Sequence, residues 1–262
     1  MKPQDLTDFK VLGVRINAVQ IPDVIARIED WIKEKAGCHF IAVTSMHGIV
    51  EAQRNPGFKQ ILNSADMVVP DGAPLVWLGR MNGKALKRRV YGSKLMDAFC
   101  RQTGKKYKHF LYGGAPGTPE LLAKVLGKNY GSNIVGTFSP PFRALTPEED
   151  SKIMAFINKA QPDIIWVGLS TPIQEGWMYS HRNKLNAPVM IGVGAAFDFL
   201  AGLKAQAPRW MREHGLEWFF RLITEPARLW RRYLIGGSKF IYYLIIERLG
   251  IKNPKGVGND KE

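Results

Sequence analysis

Asp71 is the first residue whose setting suggests chemistry: it lies in Val69-Pro70-Asp71-Gly72-Ala73-Pro74, where an apolar run stops. Proline on one side and glycine on the other stiffen the turn that carries the carboxylate. A general base needs such a mount, because it must stand within hydrogen-bond reach of the proton it removes. Capping of the following helix is the commoner use of a single Asp at such a position.

Other loops offer weaker signals. Gly113 and Gly114, in Tyr112-Gly113-Gly114-Ala115-Pro116-Gly117-Thr118, lead into a helix start, where backbone N–H groups can approach a phosphate. Tight turns use the same residues. Gly192-Val193-Gly194-Ala195-Ala196-Phe197 imitates a dinucleotide fingerprint, but Phe197 replaces the small last residue and the motif follows the last strand. This argues against an NAD site. In Pro172-Ile173-Gln174-Glu175, Gln174 can hydrogen-bond a sugar or nucleobase, and Glu175 suits the first turn of a helix. His47 falls one helical turn after Thr44 and can face the same cleft. No Asp-x-Asp, HExxH, Walker loop or G-x-S-x-G occurs, so no metal site is expected and no cofactor is assigned.

Cations are concentrated near the C-terminus. Arg221, Arg228 and Arg231 are spaced by seven and three, which places them on one face of a continuous helix, although Pro226 breaks or kinks it. Aromatic residues interleave with these arginines, and the apolar stretch Phe240-Ile241-Tyr242-Tyr243-Leu244-Ile245-Ile246 follows. A solvated basic face is the plain reading. The aromatic and apolar neighbours suit a segment lying in a membrane interface better than a nucleic-acid strip.

The elements that must position these residues follow from the hydrophobic pattern. Residues 11–21 suggest a small hairpin turning at Asn17, and Pro22 opens a helix with Val24, Ile25, Ile28, Trp31 and Ile32 at helical spacing. Continuously apolar runs at 38–44, 67–69, 109–112, 133–138, 163–167 and 189–191 alternate with helical segments. One of these opens at Thr146-Pro147-Glu148-Glu149, with capping-box spacing. The expected fold class is α/β: a doubly wound, mostly parallel Rossmann-like sheet with a small N-terminal hairpin and a helical C-terminal appendage. The division falls at residues 1–203 for the sheet domain and 204–262 for the appendage, with a frayed tail from Asn253. Ligands of such sheets bind beyond the carboxyl ends of the strands, which gathers Thr44, Asp71, Gly113, Gly114, Ser139, Gly168–Glu175 and Gly192–Asp198 on one rim.

Composition bounds the partners. The 262 residues carry 37 Lys+Arg and 23 Asp+Glu, a net charge of +14, which points to nucleic acid, a phosphorylated small molecule or an anionic membrane surface. Cys38 and Cys100 are too few for a disulfide scaffold and fit a reducing compartment. The acidic, polar start of the chain does not read as a signal peptide, and no apolar stretch reaches the roughly 18 residues of a membrane span. The expectation is a soluble, cytoplasmic-type protein.

Several motifs together resemble the WecG/TagA/CpsF family of bacterial glycosyltransferases. They are Thr44 with Asp66-Met67-Val68-Val69-Pro70-Asp71-Gly72, Val167–Glu175, Gly192–Asp198 and Gly215-Leu216-Glu217-Trp218, in order over about residues 11–233. The resemblance implies an inverting, metal-independent transfer of a sugar from a UDP-sugar to a lipid-diphosphate-linked saccharide. It implies Asp71 as base and Thr44 as its partner in the donor or acceptor pocket. It also implies that Gln174 and Asp198 touch the nucleotide-sugar, while His47 and the Gly113-Gly114 loop are added as substrate contacts from their positions in the sequence alone. Arg221, Arg228 and Arg231 would close over the diphosphate from a membrane-docking appendage. The enzyme would then sit peripherally on the inner face of the cytoplasmic membrane, with an anionic leaflet as partner and no nucleic acid; a homo-oligomer is left open. Met46, Ser170, Ile173 and Gln206 depart from the family pattern, and Thr44-Ser45-Met46-His47-Gly48 looks more like its exopolysaccharide branch. Two competing classes are a non-catalytic basic adaptor for nucleic acid or membranes, and a nucleotide-sugar epimerase.

Overall fold

The computed structural model describes residues 6–251, excluding the side chains of Arg209, Glu213 and Arg228. The expected tail from Asn253 and most of the chain start therefore lie outside the described residues. The chain opens with β1 (Asp8–Val11), β2 (Val14–Asn17) and α1 (Ile21–Glu34), then β3 (His39–Thr44), α2 (Met46–Arg54), α3 (Pro56–Ser64) and β4 (Met67–Pro70). It continues through α4 (Ala73–Met81), α5 (Gly92–Thr103), β5 (Lys108–Gly113), α6 (Thr118–Tyr130), β6 (Asn133–Phe138) and α7 (Pro147–Ala160). Next come β7 (Ile164–Gly168), α8 (Ile173–His181), β8 (Val189–Gly192) and α9 (Ala196–Leu200). The C-terminal helices are α10 (Arg209–Glu213), α11 (Glu217–Thr224), α12 (Pro226–Trp230), a π-helical turn over Arg231–Ile235, and α13 (Gly236–Arg248).

Six strands form one parallel sheet in the order β4-β3-β8-β7-β5-β6. Alternate strand residues point to opposite faces. Phe40, Ala42, Val68, Phe110, Ile165 and Met190 enter one core, while Ile41, Val43, Met67, Leu111, Trp166 and Ile191 enter the other. Burial on both faces is why the strands read as unbroken apolar runs rather than alternating ones. The capping box at Thr146 and Glu149 is formed: Thr146 Oγ1 accepts from the Glu149 N–H at 3.2 Å, and Glu149 accepts from the Thr146 N–H at 3.0 Å.

The hairpin is present, but its turn is not at Asn17. β1 and β2 pair antiparallel around Leu12-Gly13, where both residues have positive φ, 52° and 74°. A two-residue turn with that handedness matches the twist of paired strands. Asn17 instead ends β2, fully buried, and its side-chain oxygen accepts from the Val68 N–H at 2.8 Å. The hairpin thereby covers the outer edge of β4. This matters for the site, because β4 is the edge strand that ends in Pro70-Asp71.

Candidate active site

Asp71 is fixed from both sides of its turn. Its N–H donates to the Thr44 carbonyl at 2.7 Å, extending the β3–β4 pairing by one residue, and the Val90 N–H donates to the Pro70 carbonyl at 2.8 Å. The helix that follows is capped by Gly72, with φ of 105° and no side-chain capping bond, so Asp71 is not its cap. The carboxylate faces a cavity of about 1210 Å³ that spans the carboxyl ends of the strands. Its side chain keeps 30% of its surface accessible, through that cavity.

A residue with no motif of its own stands beside it. Arg89, on the connection between α4 and α5, approaches Asp71 at 3.6 Å and forms a close ion pair with Glu217 at the start of α11. Its guanidinium also lies 4.3 Å from the centre of the Tyr91 ring. Enclosure by protein drives the Asp71 carboxyl up, and Glu217 adds to this; Arg89, Arg221 and Arg232 pull the other way, leaving it at about 6. A carboxylate poised there is a stronger base than a solvated one and still ionised at neutral pH. Burial alone would lower Arg89, but Asp71 and Glu217 outweigh it and hold its guanidinium above the usual value.

The sequence-derived residues divide. Asp71, His47, Gly114, Gln174, Asp198 and Arg221 line the same cavity. Thr44 does not: it is 1% exposed, below the floor, with its hydroxyl packed against Gly48 and without a hydrogen-bond partner among the described residues. Gly113 is needed for close approach of β5 and β7, since a Cβ there would sit 2.6 Å from the Gly168 backbone. The Gly114 N–H is spent on the Gly168 carbonyl at 3.0 Å rather than turned toward a ligand. The imitation fingerprint has a packing explanation as well: the Phe197 ring lies where a Cβ on Gly168 would be, 2.7 Å away.

Gln174 is a clamp. Its carbonyl oxygen accepts from the Gly194 N–H at 3.0 Å, and its amide donates to Glu175 at 3.0 Å. The same Glu175 oxygen accepts from the Thr171 hydroxyl at 2.9 Å. With one bond at each end of its amide, Gln174 ties the loops after β7 and β8 together. Asp198 pairs with Lys204 at 3.2 Å and keeps a partly exposed carboxylate in the cavity. Burial and the charges of Arg232 and Arg54 push His47 down to about 4, so it is neutral at pH 7.

The C-terminal arginines are redistributed. Arg221 lies over the Phe199 ring at 5.3 Å, lining the cavity, with its Nε buried and unpartnered among the described residues. Arg231 turns away and stacks on Trp230 at 5.4 Å, while Arg232 takes the place at the cavity. The side chain of Arg228 lies outside the described residues. The continuous-helix spacing fails because the chain breaks at Glu225, with φ −134° and ψ 58°, and then widens into the π turn at Arg231. Arg89, Tyr91, Glu217 and Arg232 also line the cavity, and of these only Glu217 lies in a family-like motif, Gly215-Leu216-Glu217-Trp218. Among the described residues no three His, Cys, Asp or Glu side chains converge as metal ligands would, and no helix is long and apolar enough to cross a membrane.

Comparison with known proteins gives a consistent picture. The matching family description is Glycosyl transferase WecG/TagA/CpsF family, over residues 9–254. The chain is similar to an N-acetylglucosaminyldiphosphoundecaprenol N-acetyl-beta-D-mannosaminyltransferase of Bacillus spizizenii, 30% identical over 245 residues and 93% of each chain. Proteins of the same name in Bacillus subtilis and Staphylococcus aureus are each 28% identical, covering 78% of each chain in the first case, and 94% of this chain and 95% of the relative in the second.

Proposed function

The chain belongs to the WecG/TagA/CpsF family of glycosyl transferases and is a glycosyltransferase, and from that premise we propose that it moves a sugar from a UDP-sugar to a polyprenyl-diphosphate-linked saccharide, with inversion. The names of the relatives specify an N-acetylglucosaminyl diphospholipid as acceptor, and this acceptor type is carried over here. The product belongs to exopolysaccharide or another cell-surface polysaccharide. The observation that carries the reading is Asp71, a carboxylate raised to about 6 on a rigid turn, facing the cavity over which the C-terminal helices place Arg221 and Arg232.

In this reaction Asp71 takes the proton of the acceptor hydroxyl. The freed oxygen bonds to the anomeric carbon of the donor from one face as the bond to the UDP oxygen breaks on the other. The electron pair leaves with UDP, and Arg221 and Arg232 stabilise its growing charge, as cationic side chains facing a leaving group do. Arg89 is held between Asp71 and Glu217 and keeps the base oriented without itself losing a proton. Thr44 supports the turn from beneath through its carbonyl.

Residues 204–262 act as the membrane-facing unit. Large apolar side chains of α11 and α13, among them Phe219, Ile223, Ile241 and Ile245, are exposed beside basic residues, the composition of a segment that lies in an anionic interface. The enzyme works on the inner face of the cytoplasmic membrane, where its lipid acceptor is presented. The test is a panel of UDP-sugars with a synthetic lipid-diphosphate saccharide, run with the wild-type chain and with Asp71→Asn. Product with wild type and none with the variant supports the reading; full activity of Asp71→Asn would remove the base assignment. No product from wild type with any donor would remove the reaction.

A further inference from the structure

A second groove, of about 780 Å³, adjoins the active-site cavity. The two share Ala73, Arg89, Tyr91, Ser93 and Gly215 as a common wall. Arg80, Lys87, Arg88, Lys94 and Arg212 line the groove beyond that wall. Among its described lining residues the carboxylate is Asp97, which is already paired with Arg101 at 3.3 Å and with the Tyr130 hydroxyl.

The cations stand on a fixed backbone. Arg80 donates to the Leu86 and Lys87 carbonyls at 2.7 Å each, and Gln20 exchanges hydrogen bonds of 3.0 Å with both the N–H and the carbonyl of Arg88. Arg212 is steadied by the Tyr91 hydroxyl at 3.4 Å and Gln206 at 3.0 Å. Beside them Ile21, Pro22 and the half-exposed Trp77 give the groove an apolar wall. A concave surface lined by both cationic and apolar side chains fits a ligand that is part diphosphate and part hydrocarbon.

We propose that this groove holds the diphosphate of the acceptor while the donor diphosphate lies in the main cavity. The inference rests on the transfer reaction proposed above. Direct displacement requires the attacking hydroxyl and the departing UDP on opposite faces of the anomeric carbon, so the two substrates must approach the base from different sides. Two diphosphates in one cavity would also repel each other strongly. Asp71 lies at the junction, contacted by the one arginine, Arg89, that belongs to both cavities. The acceptor saccharide would bridge the wall, with its hydroxyl at Asp71 and its diphosphate against Arg88, Lys94 and Arg212.

The experiment uses the full chain in neutral detergent and compares wild type with the double variant Arg88→Ala/Lys94→Ala. Removing two charge-assisted contacts should raise the KM for the synthetic lipid-diphosphate acceptor by about tenfold or more and leave the KM for UDP-sugar within about twofold. In a second arm, inorganic pyrophosphate is titrated calorimetrically into UDP-saturated protein. Wild type should bind it, and the double variant about tenfold more weakly. Product formation with an unchanged acceptor KM overturns the groove assignment and leaves the transfer reaction standing. So does an equal loss for donor and acceptor, or pyrophosphate binding that UDP abolishes. A defect seen only on phosphatidylglycerol vesicles, and not in detergent, assigns the cations to the leaflet and also overturns it. If wild type forms no product at all, the transfer reaction fails and the acceptor assignment falls with it.

Discussion

Ile164, Ile165, Trp166 and Val167 of β7 are all fully buried, whereas Phe219 and Ile223 of α11 and Ile241 and Ile245 of α13 stand in solvent. The residue types are similar, and what differs is cover. β7 lies between β5 and β8, with helices over both faces, so every side chain has somewhere to go. In α11 no residue is buried, and α13 buries Phe240 and Ile246, whose helix packs on α2. The chemistry divides along the same line. The proposed base, Asp71, stands at the end of a sheet strand, on backbone pinned by two hydrogen bonds, while Arg221 and Arg232 come from the less buried helices. A proton acceptor must be held to a fraction of an ångström, while charge neutralisation acts over a longer range and tolerates a looser support.

Variants at both ends of this contrast can break it. The largest effect is expected from Asp71→Asn, with transfer falling by about 10²- to 10⁴-fold while UDP binding persists in calorimetry. The same variant should be more stable at pH 7.5. A carboxyl raised from 3.8 to about 6 favours the fold when protonated, and that contribution is present below about pH 4 and lost as pH rises through 6. A thermal midpoint unchanged or lowered at pH 7.5 would contradict the buried-base picture.

Trp166→Ala should cost about 3–5 kcal/mol in denaturant unfolding, as expected for a large cavity between packed layers. Next in size, Arg221→Ala or Arg232→Ala should lower kcat by about 10²-fold, with stability nearly unchanged. Loss of stability without loss of kcat would place these arginines in the fold rather than over the leaving group. The pH profile of wild type should fall about tenfold per pH unit below about 6. His47 adds no second limb between pH 5 and 8, because it is already neutral there. The smallest change in the fold is expected from Ile223→Ser, within about 0.5 kcal/mol in stability, yet with weaker flotation on phosphatidylglycerol vesicles.

Much of the sheet side was legible because parallel strands buried on both faces leave an uninterrupted apolar signature and end in Gly, Pro and Asp turns. Strand ends then locate the rim, and Asp71 with it. Arg89 left no such trace: it lies in Lys87-Arg88-Arg89, on a connection without periodicity, and its partners are 18 and 128 residues away in sequence. The arginine series on the C-terminal helices is a poor guide for a different reason. Spacings of seven and three define a face only on one unbroken α-helix, and the break at Glu225 with the π turn at Arg231 exchanges Arg231 for Arg232 at the cavity.

Hydrogen-bond commitment was likewise invisible from residue type. Gln174 can donate and accept in any setting, and only the approach of Gly194 and Glu175 shows both ends of its amide used. By itself the sequence determined what is local and periodic: the strands, the caps, the family motifs and the carboxylate on its stiff turn. Tertiary structure decided which charges meet across long chain separations, which polar groups remain open to a ligand, and which of two adjacent arginines faces the cavity. Those depend on packing and on the phase of broken helices, and residue spacing alone carries neither.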